Sequence, residues 1–132
     1  MLTETEKLVY FYRAKVSKVI DGDTVDIVID LGFGLFKDVK ARFWGINAPE
    51  ISRPKDEAEL LKGLATKAHV EEWFKQYAPD GYIIVRSHNG EQLRQEKYGR
   101  WLVEVYPTGF TKETISLNDT LVKEGLAVEY MR

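Results

Sequence analysis

The chain has 132 residues, 44% of them hydrophobic, with no cysteine, which allows one domain with a modest core and rules out disulfides, thiolate metal sites and a cysteine nucleophile. Aromatic residues at 12% suit a β-rich fold, and 30% charged residues with a formal net charge of -2 describe an ordinary water-facing surface. That balance lacks the basicity common among nucleic-acid binders, so such a role would have to rest on a local cluster of Lys and Arg or on a bound cation.

Residues 1–7 are polar and acidic and read as a flexible lead-in to a single domain over 8–132. The first third reads as β. Residues 8–20 are rich in Tyr, Val, Phe and Ile and end on an alternation through Ala14, Val16, Ser17 and Val19. Asp21-Gly22 is a hairpin signal. A second strand sets Val25, Ile27 and Ile29 on one face against Thr24, Asp26, Val28 and Asp30 on the other. Gly32-Phe33-Gly34 is a turn, since no Lys-Ser/Thr follows to make a phosphate loop. A third strand runs over about 35–46, with Val39, Ala41 and Phe43 alternating against Lys40 and Arg42.

Asn47-Ala48-Pro49 breaks that strand. A helix follows over 57–77, with Leu61, Leu64, Ala65, Ala68 and Glu72 marking one side. Pro79-Asp80-Gly81 stops it. A fourth strand over 82–86, a polar loop over 87–99 and a fifth strand over 101–106 come next. A short helix starts at Ser116 and ends at Gly125, with Leu117, Leu121 and Val122 inward. Five strands with a long helix after the third and a short C-terminal helix predict a mainly β, α+β domain: a five-stranded OB-fold barrel. No apolar run reaches the length of a membrane span, and 8–12 is too short for a signal-peptide core. As written, the chain is expected to be cytoplasmic and monomeric, or secreted if a leader has been removed.

The polar residues at the strand ends carry the chemistry. Asp21 and Asp23 flank the first turn, Arg42 lies near the end of strand three, Asn47 and Glu50 flank Pro49, and Arg100 opens strand five. Singly, each has an ordinary use: a turn carboxylate, a solvated strand arginine, a loop glutamate, an arginine stacked on Trp101. Together they form a set for phosphodiester hydrolysis. A hard cation and two guanidinium forks can stabilise charge on the phosphate oxygens, and a carboxylate can orient or deprotonate water. His69 and His88 are too far apart in sequence to suggest a pair and read as helix and loop residues. Tyr10, Phe11 and Tyr12 read as core and edge.

The segments carrying these residues resemble the staphylococcal nuclease (thermonuclease) family. Val19-Ile20-Asp21-Gly22-Asp23-Thr24-Val25 is similar to its first motif, Arg42 to Glu50 (RFWGINAPE) to its second, and Glu96-Lys97-Tyr98-Gly99-Arg100 to its third. Gly125-Leu126-Ala127 with Tyr130 resembles its C-terminal segment, so the likeness spans about 8–131. The resemblance implies a calcium-dependent nuclease that cuts DNA and RNA with little sequence preference and leaves 3′-phosphates. It implies Asp23, Asn47 and the Ala48 carbonyl as metal ligands, with Asp21 behind them. Arg42 and Arg100 would hold the phosphate, and Glu50 would serve as candidate base. Lys97 and Tyr98 would meet a terminal phosphate, and Tyr130 would pack near a base.

One departure stands out: the family's type member has Asp-Thr where this chain has Asn47-Ala48. An amide oxygen brings no charge, so weaker calcium binding, or another divalent ion, is expected. The rival reading is a barrel that binds single-stranded nucleic acid or a protein partner without cutting. Retention of Arg42, Glu50 and Arg100 favours the enzyme over that module and over a purely structural domain.

Overall fold

The computed structural model describes residues 9–88 and 100–130. Five strands close a barrel: β1 (Phe11–Asp21), β2 (Thr24–Gly32), β3 (Leu35–Phe43), and two later strands, β5 (Tyr82–Ser87) and β6 (Trp101–Pro107). Their order around the barrel is β1-β2-β3-β6-β5, and β5 returns to pair with β1. All pairings are antiparallel except β3 with β6, which is parallel and joins only Ala41–Phe43 to Trp101–Val103. A two-residue strand β4 (Ile46–Asn47) pairs with β7 (Val128–Glu129) beside the barrel. This is the five-stranded α+β barrel the sequence predicts.

The alternation in β2 and β3 explains the core. Val25, Ile27, Val39, Ala41 and Phe43 turn inward and are buried, and Ile83, Val85, Val103 and Val105 meet them from β5 and β6. Each large apolar side chain so buried contributes roughly 1.5–3 kcal/mol. In β1 the alternation is broken by irregular register between Val16 and Lys18 and between Val19 and Asp21. These irregularities bend the strand into the turn that carries Asp21 and Asp23. The predicted third strand is too long by one element: Gly45, at φ 79°, turns the chain after Phe43, and Ile46–Asn47 join β7 instead.

Helix α1 (Glu57–Tyr77) has the predicted bounds. Asp56 caps it by accepting the Glu59 N–H at 2.8 Å, and the Glu59 carboxylate reaches back to the Lys55 N–H at 3.1 Å. Its inward side, however, is the opposite of the leucine-marked one. Gly63, Thr66, Val70, Trp73 and Phe74 are buried, whereas Leu61 and Leu64 are 60% and 45% exposed and Ala65, Ala68 and Glu72 face outward. The N-terminal half of α1 lies so close to the loops beneath that only small residues fit. A Cβ on Gly63 would lie 2.8 Å from the Pro49 carbonyl oxygen and 2.9 Å from Ile51 Cγ1.

Helix α2 (Leu117–Lys123) is capped by Ser116, whose hydroxyl accepts the Asp119 N–H at 3.0 Å. Leu117 and Leu121 are fully buried, as expected, and Val122 packs against the core. Asn118 is fully buried as well. Its Oδ1 accepts the Val105 N–H (3.0 Å), and its Nδ2 donates to the carbonyls of Trp44 (2.9 Å) and Val103 (3.0 Å). One side chain thereby fastens α2 to β6 and to the turn that leads into β4. Among the described residues no helix is long and apolar enough to cross a membrane.

Candidate functional site

The site lies where the β1–β2 turn meets the end of β3 and the β4–β7 pair. Asp21 ends β1 and its Oδ1 accepts the Asp23 N–H at 3.0 Å, an Asx turn that fixes the loop. Asp23 is buried at 7% exposure. Its Oδ1 accepts the Thr24 hydroxyl (3.1 Å) and its Oδ2 accepts the Ala48 N–H (2.9 Å). That second bond ties the first turn to the loop after β4, so residues 25 apart in sequence become neighbours. Gly22 between the two aspartates has no positive φ. It is glycine because a Cβ there would lie 2.6 Å from Thr66 Cγ2 and 3.0 Å from the Ala48 Cβ.

Arg42 pairs with Thr24 across β2–β3. Its side chain is only 12% exposed, far from the solvated arginine that an alternating strand suggests. Nη2 donates to the Ile46 carbonyl (3.1 Å) and the Asn47 amide oxygen (3.2 Å), and lies 4.0 Å from Asp23 Oδ2. The guanidinium carbon sits 5.2 Å from the centre of the Tyr130 ring, within cation–π range. Tyr130 reaches this place because its N–H donates to the Gly45 carbonyl at 2.8 Å, extending the β4–β7 pair. Asp21, Asp23, Arg42, Asn47, Ala48 and Tyr130 therefore form one cluster.

Glu50 is exposed at the rim, where the Ser52 hydroxyl donates to its Oε1 at 2.6 Å. Arg100 is half-buried and immediately precedes β6. Because Arg42 pairs with Leu102, strand alternation turns Arg100 and Arg42 toward the same side on adjacent strands. Lys97 and Tyr98 lie outside the described residues.

Burial, followed by the neighbouring Asp23 carboxyl and its charge, raises the Asp21 carboxyl from 3.8 to about 6. Two carboxyls held this close repel when both are ionised, and a cation between or beside them would relieve that repulsion. The other donors here, the Asn47 amide and the Ala48 carbonyl, are oxygens too. This is the donor chemistry of calcium or magnesium rather than zinc. The set fits a hard divalent ion but is lean in charge, since among the described residues no cluster of three or more His, Cys, Asp or Glu gathers.

Sequence reasoning passed over two features near the site. Asn118 holds the Trp44 carbonyl, as described. His88 stacks on Trp44 with ring centres 3.9 Å apart, and its Nε2 pairs with Glu104 Oε1. Glu104 also accepts the Tyr106 hydroxyl (2.7 Å), and hydrogen bonds from His88 and Tyr106 hold its carboxyl below the usual range against burial, which alone would raise it. His69 in α1 brings its Nε2 to 2.7 Å from a Glu124 carboxylate oxygen at the surface. No local sequence signal marks these long-range partners.

The chain is similar to an uncharacterized protein of Methanocaldococcus jannaschii, 28% identical over 130 residues covering 91% of this chain and 60% of that protein. It is also similar to the endonuclease YncB of Bacillus subtilis, 29% identical over 112 residues covering 85% of this chain and 45% of that protein. The chain thus spans roughly half the length of these relatives. The family described as staphylococcal nuclease homologue matches residues 40–132, well over half of the sequence, from the middle of β3 through both helices, and the chain belongs to that family.

Proposed function

We propose that this protein is a calcium-dependent nuclease that hydrolyses phosphodiester bonds of DNA and RNA with little sequence preference. The observation that carries the reading is the nearly buried Arg42, whose guanidinium lies between the Asp23 carboxylate and the Asn47 amide, beside the paired carboxyls of Asp21 and Asp23. A guanidinium fixed in this way is preorganised for a phosphate. The similarity to a Bacillus endonuclease points the same way.

In this reading Asp23, Asn47 and the Ala48 carbonyl hold the ion, with Asp21 supporting Asp23 from behind. When bound, the ion supplies Lewis-acid stabilisation of the phosphate charge. Arg42 and Arg100 bind non-bridging oxygens and orient the diester. Glu50, exposed to solvent and steadied by Ser52, takes a proton from the attacking water. Water adds to phosphorus and the P–O5′ bond breaks; O5′ takes up a proton from solvent as Glu50 returns its own to solvent, leaving a 3′-phosphate and a 5′-hydroxyl. Tyr130 packs against the nucleotide beside Arg42, and Lys97 and Tyr98 meet a terminal phosphate. No groove-reading element is evident among the described residues, in keeping with weak sequence preference.

The test is cleavage of single-stranded DNA with calcium, with EDTA, and with magnesium or manganese. Calcium-dependent cutting abolished by EDTA is expected. A folded protein that binds the strand but fails to cut it with any of these ions would replace the enzyme by a binding module.

A further inference from the structure

We propose that Thr66 is a positioning residue for this site, its methyl backing the Asp21-Gly22-Asp23 turn and its hydroxyl clamping the strand pair that carries Asn47 and Tyr130. The inference rests on the functional reading above and deepens it.

Thr66 is 1% exposed in the middle of α1, an unusual place for a β-branched polar residue. Its two arms do different things. Cγ2 faces Gly22 so closely that any side chain at 22 would collide with it. The turn bearing both aspartates therefore rests directly on this methyl. Oγ1 donates to the Leu126 carbonyl at 2.8 Å, with the Lys62 carbonyl 3.1 Å away. From Leu126 the chain passes through the buried Ala127 into β7, whose Val128 pairs with Asn47, and on to Tyr130 under Arg42. One turn earlier on the same helix face, Gly63 seats the backbone of Pro49 and Glu50. Thr66 thus sets the distance between the carboxylate turn and the Asn47–Tyr130 ribbon, while touching neither substrate nor ion.

Because the arms are chemically separable, conservative variants test the role. Thr66→Ser keeps the hydroxyl and removes the methyl. Its calcium Kd, measured by calorimetry on the whole chain, is expected to rise about tenfold, with KM for a single-stranded oligodeoxynucleotide within about twofold. Thr66→Val keeps the methyl and cannot donate. Its calcium Kd is expected to stay within about twofold while KM rises about fivefold. Gly22→Ala adds an independent reading: its new Cβ meets the Thr66 methyl in the wild type but not in Thr66→Ser, so the loss of calcium affinity should be smaller in the Ser background. Melting shifts with both constants unchanged, both constants moving together in both variants, or equal damage by Gly22→Ala in the two backgrounds would each overturn the positioning role. A wild-type protein that neither cuts nor binds calcium would instead overturn the functional reading, and this role with it.

Discussion

Replacing Asp21 by Asn should make the protein more stable in EDTA at neutral and higher pH. Asp21 is half-buried and shares a hydrogen bond with the Asp23 carboxyl, and its pKa is lifted from 3.8 to about 6. A carboxyl whose pKa rises on folding stabilises the folded state below its unfolded pKa and loses that contribution as pH climbs through its folded pKa. The window here runs from about pH 4 to about pH 6. A shift of this size corresponds to roughly 3 kcal/mol at 1.36 kcal/mol per unit if taken in full. Solvent access to the side chain reduces it to about 1 kcal/mol. The amide introduced by Asp21→Asn would keep the acceptor for the Asp23 N–H, and its NH2 group could donate to the Asp23 carboxylate. In thermal melts with EDTA the variant should gain about 3 °C over wild type at pH 8 and nothing at pH 3.5. Added calcium should then stabilise wild type more than the variant, narrowing the gap by mass action. Equal melting at pH 8, or a gain that grows as pH falls, would refute the account of a strained carboxyl pair.

Arg42→Ala should cost on the order of 100- to 1,000-fold in turnover while the barrel stays folded, because Asp23 keeps its bonds to Thr24 and Ala48; near-full activity would disqualify Arg42. Asn47→Asp should tighten calcium binding in calorimetry, and an unchanged Kd would mean that Asn47 is not a ligand. Asn118→Ala should lower stability by about 3 kcal/mol in urea, since it leaves the buried Val105 N–H and two carbonyls without their partner. A loss under about 1 kcal/mol would mean that water replaces the amide there.

The strands of the barrel were legible because β2 and β3 have one dry and one wet face, so alternation alone fixes which residues point inward. The span of α1 was legible from its helical period, and its end from Pro79-Asp80-Gly81. Its buried face was not, because hydrophobicity marks Leu61 and Leu64, while the close approach of α1 to Gly22, to the Pro49–Glu50 backbone and to the Ile51 side chain selects Gly63 and Thr66. Gly22 shows the same limit. Asp-Gly correctly signalled a turn, yet the glycine answers to Thr66 on a distant helix and not to the turn's dihedrals. The pair β4–β7 is too short for any period to show. Asn118 reads as a helix-start residue, and only the fold reveals that its amide meets three backbone groups from distant segments. Motif resemblance gathered Asp21, Asp23, Arg42, Asn47 and Tyr130, and in the structure they are neighbours.

The neutral residue at position 47 has two consequences that oppose each other. An aspartate there would add charge for the ion, but it would stand about where the Asn47 oxygen now accepts from Arg42 at 3.2 Å. At that distance a second carboxylate beside Asp23 would draw the guanidinium into a charge pair on both sides, and a guanidinium already neutralised attracts a phosphate less. Asn47 orients Arg42 with a hydrogen bond and, in the proposed mechanism, would leave much of its charge for the substrate. In a chain with a net charge of -2, that local cation weighs more than it would on a basic surface. In the proposed mechanism, the neutral residue that would weaken the ion site would therefore strengthen the phosphate site. Tighter calcium binding by Asn47→Asp should accordingly come with a higher KM for the strand, and a variant improved in both constants would show that Arg42 does not serve the phosphate.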